Sequence, residues 1–202
     1  MEVQIRALQK AGFKTVYVAT NYKSEFVESF LGDGSKYGVE LIFSREDKPL
    51  GTCGPLSLLR ESLNEPFIMM NGDILTRLDF AEFYKFGEAH ECPLTLGTKV
   101  ISTPFRFGNV KVDENDYVID VEEKPEFVIE ILAGIYFFKP EIFDHIPDDK
   151  YFGMDDLIKK LKFERQRMGR YLIKDYWLDI GQVDDYSQAR EEYSKHFLVE
   201  EA

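Results

Sequence analysis

The sequence has few of the side chains that bind zinc or build disulfide frameworks. Its two cysteines, Cys53 and Cys92, are too few for a disulfide framework and lack the spacing of metal ligands. The three histidines are scattered along the chain and do not form a zinc site. We therefore expect both cysteines to be reduced thiols and the protein to be cytoplasmic.

Long apolar runs and an excess of positive charge are also absent. No apolar run approaches the length of a membrane span, and the first residues have neither the basic start nor the apolar core of a signal peptide. The 25 Lys and Arg residues against 37 Asp and Glu give a net charge of -12. Because such a surface repels polyanions, we expect neither nucleic acid nor an anionic membrane as a partner. A small phosphorylated ligand needs only a local basic site or a metal, so the net charge does not exclude such a ligand.

The composition that is present is typical of a globular protein, with 44% hydrophobic and 31% charged residues. At 202 residues, we expect a single domain with a first half over residues 1–92 and a second half over 93–202. In the first half, helices alternate with short apolar strands, which indicates an α/β fold with a mainly parallel sheet. The chain opens on a helix that ends at Gly12, whereas such a sheet normally begins with a strand.

A stretch near the middle of the chain predicts a buried strand followed by a carboxylate. The run from Pro66 to Met70 has no charged side chain, as expected of a strand covered on both faces, and it stops at Asn71-Gly72-Asp73. In open α/β sheets, ligands bind outside the carboxyl ends of the strands, which favours a metal or phosphate at Asp73. Asn-Gly is also the commonest hairpin dipeptide, so a simple tight turn is an alternative from these residues alone.

A glycine-containing loop, Leu50-Gly51-Thr52-Cys53-Gly54-Pro55, precedes a predicted helix on Leu56, Leu59 and Leu63. Pro55 suits the first helical position, which would place Gly54 at the N-cap. Exposed amides at such a helix end favour an anion or an acceptor-rich edge of a ligand. The alternative is that the two glycines only form a sharp turn.

Two further motifs lie in the second half of the chain. The motif Glu122-Glu123-Lys124-Pro125 has two interpretations. Either its lysine binds a phosphate, or the motif is a solvated run of charges that ends at a proline. Trp177-Leu178-Asp179-Ile180-Gly181 places a carboxylate before a glycine, which also fits a surface carboxylate beside a core tryptophan. Between Pro93 and these residues, short strands alternate with turns, and the turn at Asp113–Asp116 predicts an antiparallel hairpin.

In this order and at these separations, the four motifs resemble those of the sugar-phosphate nucleotidylyltransferases, the mannose-1-phosphate guanylyltransferase-like enzymes in particular. The resemblance runs from Met1 to about Tyr193. It implies the fold of the nucleotide-diphospho-sugar transferases, a Rossmann-like three-layer sandwich with a mixed, mainly parallel central sheet, whose first strand this chain lacks. It also implies that residues 1–92 bind the nucleotide and residues 93–202 the sugar phosphate.

The resemblance implies roles for individual residues. Asp73 and Asp179 would bind Mg²⁺, which typically takes one or two carboxylates plus substrate phosphates, and with Lys124 they would be the catalytic residues. The implied nucleotide-binding residues are Leu50, Gly51, Thr52, Gly54, Asn71 and Gly72. The implied sugar-phosphate-binding residues are Gly108, Glu123, Lys124 and Gly134. The family's asparagine in the triplet before that last glycine is replaced here by Leu132.

The implied reaction is attack by a sugar 1-phosphate oxygen on the α-phosphorus of a nucleoside triphosphate, with release of pyrophosphate. The family's glycine-rich Gly-Gly-x-Gly-x-Arg loop and its Pro-Lys pair do not occur in these 202 residues, so we expect impaired turnover. A homo-oligomer or a partner segment that completes the sheet would compensate for the strand that goes with them. The alternatives are a non-catalytic or regulatory subunit that pairs with a complete homologue and, less favoured by the motifs, a nucleotide-sugar glycosyltransferase.

Overall fold

The computed structural model describes residues 1–21, 23–181, 189, 191–193 and 195–197. Its α-helices in this part of the chain are α1 Glu2–Lys10, α2 Ser24–Leu31, α3 Phe80–Ala89 and α4 Met154–Phe163. Its strands are β1 Thr15–Thr20, β2 Glu40–Arg45, β3 Phe67–Met70, β4 Ile74–Thr76, β5 Leu94–Pro104, β6 Asn109–Val112, β7 Val118–Glu122, β8 Glu126–Phe138, β9 Met168–Leu172 and β10 Trp177–Asp179. Short 3₁₀ helices cover Ser35–Tyr37, Gly54–Leu59 and Pro140–His145.

Hydrogen bonding divides the described strands into four groups. The largest is a four-stranded mixed sheet in the order β3-β8-β5-β9, in which β8 runs antiparallel to β3 and β5, and β9 runs parallel to β5. Strands β1 and β2 form a parallel pair, as the alternation of helices and strands predicts. Strand β4 pairs with β10, and β6 pairs with β7, both antiparallel, so the predicted hairpin around Asp113–Asp116 is confirmed.

Helices cover both faces of the four-stranded sheet. On one face, Ile135 and Phe137 of β8 pack into a buried cluster with Phe80 and Phe83 of α3. On the other face, alternate residues of the same strand pack against α4, in a cluster that includes Tyr136, Phe138, Leu157 and Leu161. The period-2 alternation of a strand sends successive side chains to opposite faces. This arrangement of helix, sheet and helix confirms the predicted three-layer α/β class.

A third, smaller core lies under the first two strands. It consists of Ile5, Leu31, Tyr37, Val39 and Leu41, all buried. Helix α1 joins this core to the rest of the molecule, because Ile5 belongs to it while other residues of α1 pack against the cluster around Phe137. The first two strands are therefore connected to the main sheet through packing of α1.

A β-bulge divides the two longest strands into a buried and an exposed part. Leu96 lies opposite Tyr136, and Thr98 lies opposite Leu132. Three residues of β8, Ala133–Ile135, therefore lie opposite the single residue Gly97 of β5. A Cβ on Gly97 would lie 2.7 Å from the carbonyl oxygen of Ile135, which only glycine avoids. Beyond the bulge, residues 99–132 form a largely exposed extension, here called the β-arm, that carries β6 and β7 at its end.

Strand β3 packs on both faces, as predicted, because Phe67 and Met69 contact one core cluster and Ile68 and Met70 contact the other. It lies at the end of its sheet, however, and Phe67–Met70 are only half-buried. Two expectations need correction. The predicted helix on Leu56, Leu59 and Leu63 is a 3₁₀ helix that ends at Leu59. Gly54 is the first residue of this helix and Cys53 precedes it, so Gly54 is not the N-cap.

The end of the chain is described only in part. The sequence predicts a terminal helix from Asp184 to about His196. Helical residues occur at 189, 191–193 and 195–196, while residues 184–188, 190 and 194 of the predicted span lie outside the described residues. No helix in the described ranges is long and apolar enough to cross a bilayer.

Candidate functional site

Two aspartates from separate motifs converge beside Gly181. Pairing of β4 with β10 places Asp179 opposite Ile74, and the N–H of Ile180 donates to the carbonyl oxygen of Asp73 at 2.9 Å. A Cβ on Gly181 would lie 3.1 Å from Asp179 Oδ1 and 3.9 Å from Asp73 Oδ2. The two carboxylates thus border one small space that the glycine leaves open. The sequence predicts these two residues as partners, and the structure brings them together.

This pair fits a magnesium ion. Mg²⁺ retains several waters and is typically bound by one or two carboxylates together with substrate phosphates. Among the described residues, no group of three or more His, Cys, Asp or Glu side chains is placed to hold a metal. The donor set at Gly181 is therefore two carboxylates, which suits a cation that a phosphate ligand completes and does not suit a closed structural zinc site.

The turn before Asp73 connects the two halves of the molecule. The N–H of Asn71 donates to the carbonyl oxygen of Gly134 at 2.9 Å. Gly134 has φ +67°, and a Cβ there would lie 2.8 Å from Asn71 Nδ2. The interpretation of Asn71-Gly72 as a hairpin turn is wrong, because β3 pairs with β8 and β4 pairs with β10. The turn instead carries the chain from one sheet to another and presents Asp73 at the crossing.

Gln4 of α1 holds this turn, and sequence reasoning missed it. Its side chain is 7% exposed, and Nε2 donates to the carbonyl oxygens of Ile74 and Asn71. The signal in the sequence was a glutamine at a position of α1 next to Ile5 and one turn before Leu8, on the apolar side of the helix. A buried polar group is retained when it has a partner, and here the partner is the backbone of the candidate site.

The loop at Leu50–Gly54 is held by a segment from the second half. The N–H groups of Cys53 and Gly54 donate to the carbonyl oxygen of Phe152 at 3.0 and 2.9 Å, and Phe152 donates back to Leu50 at 2.8 Å. Gly51 has φ +82°, and a Cβ there would lie 2.8 Å from the oxygen of Phe152. The expectation that the amides at this helix end are exposed is wrong for Cys53 and Gly54, because Phe152 uses both of them.

Side chains complete the anchoring of this loop. Glu46 accepts from the N–H of Leu50 at 2.9 Å, and Thr52 Oγ1 accepts from the N–H of Met154 at 2.8 Å. Burial raises the pKa of the Cys53 thiol to about 12, so the thiol is neutral and is not a nucleophile. Sequence reasoning missed the segment around Phe152, which has no motif of its own. The glycines at 51 and 54 thus have a structural requirement within the protein.

The loop and the turn line one cleft. Gly51 and Thr52 from the loop, and Asn71 and Gly72 from the turn, border a cavity of about 570 Å³. This proximity agrees with the shared nucleotide role that the motifs predict for these residues. Of the remaining predicted nucleotide residues, Leu50 is buried and Gly54 lies against the backbone of Lys150.

The predicted sugar-phosphate residues fall into two places. Gly108, Glu123 and Lys124 meet at the base of the β6–β7 hairpin on the β-arm, where a Cβ on Gly108 would lie 3.1 Å from Glu123 Oε2. Lys124 is exposed, with φ 48°, and is followed by the buried Pro125. Gly134 lies apart from them, beside Asn71, at the other end of the exposed part of β8.

Comparison with known proteins gives a consistent result. Residues 1–196 match the family described as Nucleotidyl transferase. The chain is 35% identical over 189 residues to a mannose-1-phosphate guanylyltransferase catalytic subunit beta of Drosophila melanogaster, covering 91% of this chain and 51% of the relative. It is 33% identical over 191 residues to a mannose-1-phosphate guanyltransferase of Saccharomyces cerevisiae, covering 91% of this chain and 53% of the relative. The chain thus spans about half the length of these curated relatives.

Solved structures share the fold. HddC from Yersinia pseudotuberculosis matches with a TM-score of 0.69 at 24% identity, over 94% of this chain and 83% of the other. A putative glucose-1-phosphate thymidylyltransferase from Bacillus anthracis matches with a TM-score of 0.73 at 20% identity, over 95% of this chain and 81% of the other. These likenesses confirm the predicted Rossmann-like fold with its mixed, mainly parallel sheet.

Proposed function

The chain belongs to the nucleotidyl transferase family, among the sugar-phosphate nucleotidyltransferases, and we propose that it binds a nucleoside triphosphate and a sugar 1-phosphate as substrates. The reaction would join the nucleotidyl group to the sugar phosphate and release pyrophosphate. The relatives named for mannose 1-phosphate and guanylyl transfer favour these two substrates for this chain as well. Because the chain spans about half of those relatives, the activity of the whole protein is part of the proposal.

The observation that supports the proposal best is the convergence of Asp73 and Asp179 at Gly181, next to the cleft lined by Gly51 and Gly72. Two carboxylates repel a bare phosphate, so they contribute to binding a nucleotide only with a cation between them. The proposed ion is Mg²⁺, which would neutralise phosphate charge when bound. The two carboxylates come from elements far apart in the chain, the turn after β3 and the end of β10, and both border the space at Gly181.

The proposed chemistry needs alignment more than proton transfer. The attacking group is a phosphate oxygen that is already an anion at neutral pH, so no side chain has to act as a general base. The chain's own residues would bind and orient: the loop at Gly51–Thr52 and the turn at Asn71–Gly72 the nucleotide, and Lys124 the sugar phosphate as a point charge. Positioning and charge neutralisation are the main sources of rate in such transfers.

We further propose that this chain binds nucleotide but turns over slowly. The 202 residues contain no Gly-Gly-x-Gly-x-Arg sequence, so the contacts that such a loop would make to the triphosphate are not supplied by these residues. The test measures pyrophosphate release over a panel of nucleoside triphosphates and sugar 1-phosphates, with Mg²⁺, beside calorimetric binding of each triphosphate. We expect measurable binding of one triphosphate with little or no pyrophosphate release.

The same experiment separates the alternatives. Turnover at the 1–1000 s⁻¹ common among enzymes would contradict the proposed impairment and leave the substrates assigned. No binding of any triphosphate would contradict the proposed function. A non-catalytic subunit is the second candidate, favoured by the same lack of a glycine-rich sequence, and it predicts a complex with a full-length homologue in mass measurements. A strict monomer in the presence of that homologue would exclude the subunit.

A further inference from the structure

One buried glutamine side chain contacts the backbone on both sides of Asp73. Gln4 of α1 is 7% exposed, and its Nε2 donates to the carbonyl oxygens of Asn71 and Ile74. Carbonyl oxygens only accept hydrogen bonds, so the end of the carboxamide that faces them is the NH₂ group, which has two N–H donors. Because Asp73 lies between the two acceptors in the chain, a single side chain from another element holds the backbone before and after it.

The same glutamine also holds the strand partner of Asp179. Ile74 of β4 lies opposite Asp179 of β10, and the N–H of Ile180 donates to the carbonyl oxygen of Asp73. In an antiparallel ladder, this pattern makes Ile74 and Asp179 a pair without hydrogen bonds between them, so the carbonyl oxygen of Ile74 is directed away from β10. Gln4 donates to it there. The hydrogen bond therefore fixes a residue that is next to Asp73 in the chain and opposite Asp179 in the ladder.

The two carboxylates at Gly181 need this support from the backbone. Both aspartates are exposed, and like charges that border one space repel each other. A turn that is free to move would relieve the repulsion by carrying Asp73 away, and a cation would then bind only after the turn had moved back. Groups that orient the ligands of a metal raise its affinity, because the ligands are already in place when the metal arrives.

We propose that Gln4 is a positioning residue for the divalent cation at Asp73 and Asp179, because its carboxamide holds the turn from Asn71 to Ile74 in the form that presents Asp73 toward Asp179. This role rests on the proposed function, since it requires that the two carboxylates bind a cation. Gln4 acts through the backbone of the turn and is not a ligand of the cation. The alternative is a purely structural role, in which Gln4 only satisfies two carbonyl oxygens.

Gln4→Met tests the positioning role, since methionine has a similar length and helix propensity but no N–H donor. We expect the Mn²⁺ affinity, measured by electron paramagnetic resonance, to fall at least about fivefold, the factor that corresponds to one net hydrogen bond. Gln9→Met is the matched control, because Gln9 is an exposed residue of the same helix, and its Mn²⁺ affinity should equal that of the unsubstituted protein. A purely structural role predicts that Gln4→Met lowers the free energy of unfolding but leaves the Mn²⁺ affinity of the folded protein unchanged.

Gln4→His separates the N–H donor from the packing of the side chain. The Nε2–H of a neutral histidine lies about as far along the side chain as the glutamine NH₂ group, so it can donate to one of the two carbonyl oxygens. We expect a smaller loss of Mn²⁺ affinity than in Gln4→Met, with far-UV circular dichroism confirming that both variants are folded. An equal loss in the two variants would show that packing and not the hydrogen bond supports the site, and it would overturn the proposal.

Nuclear magnetic resonance of the unsubstituted protein gives a measurement that does not depend on how the variants fold. We expect Mg²⁺ to shift the side-chain NH₂ signals of Gln4, which donates to the turn, and to leave those of the exposed Gln9 unchanged. If the unsubstituted protein binds no Mn²⁺, the cation site and the positioning role are contradicted together. Mn²⁺ binding that Gln4→Met does not weaken, or Gln4 signals that Mg²⁺ does not shift, would overturn the positioning role alone.

Discussion

Asp73→Asn is expected to weaken divalent-cation binding by at least about tenfold, because one of two negative ligands is removed from the space beside Gly181. The free energy of unfolding should change little. Asp73 contributes to the β4–β10 pairing through its carbonyl oxygen, which accepts from Ile180 and is unchanged in asparagine. Mn²⁺ titration followed by electron paramagnetic resonance measures the affinity directly, with and without a nucleoside triphosphate.

Asp144→Asn is the matched control, an exposed aspartate at the Pro140–His145 helix, and its Mn²⁺ affinity should equal that of the unsubstituted protein. If the two carboxylates act on one ion, Asp179→Asn should cause a similar loss, and the double variant should lose little more than either single variant. Unchanged Mn²⁺ affinity in Asp73→Asn would show that the carboxylates at Gly181 are not a cation site, whatever the chain binds elsewhere.

Gly51→Ala is expected to lower the free energy of unfolding by about 2–5 kcal/mol, because it combines two costs. A side chain at φ +82° costs about 1–2 kcal/mol, and overlap with a fixed neighbour adds about 1–3 kcal/mol. The neighbour is the carbonyl oxygen of Phe152 at 2.8 Å from the new Cβ, and this oxygen cannot move without breaking its bonds to Cys53 and Gly54. Urea unfolding followed by fluorescence of Trp177, the single tryptophan, measures the loss.

Gly12→Ala isolates the first of the two costs. Gly12 has φ +97° at the end of α1, and a Cβ there would meet no atom within 4 Å. The free energy of unfolding of this variant should therefore fall only by the cost of a side chain at positive φ, about 1–2 kcal/mol. An equal loss in both variants would mean that the loop at Gly51 relaxes around the new methyl group. It would also mean that the contact with Phe152 does not hold the loop.

Most of the fold could be predicted from the sequence, because its signals are local. The end of α1 just before Gly12 and the parallel pairing of β1 with β2 follow from helical and strand periodicity. Predicting that Asp73 and Asp179 lie together required more than local signals, because the two residues lie far apart in the chain. Their proximity was predicted only because four ordered motifs resemble one family, and the pairing of β4 with β10 brings the two residues together.

What could not be predicted depends on tertiary contacts. The segment around Phe152 has no distinctive composition. Its backbone nevertheless lies so close to residues 51 and 54 that only glycine fits at both positions. Gln4 appears in the sequence as one polar residue in an amphipathic helix, and only the fold shows that it binds the turn at Asn71. The half-burial of β3 was missed because an apolar run predicts covered faces but does not show whether both edges of the strand are paired.

The separate small core under β1 and β2 has a consequence for how the molecule opens. That core is built entirely from residues 5–43, and no backbone ladder among the described strands ties it to the four-stranded sheet. Cooperative units of this kind open at different free energies, so we expect the first two strands to unfold locally while the sheet around Phe137 remains intact. Limited proteolysis should then cut within residues 13–45 first, while the sheet around Phe137 stays resistant.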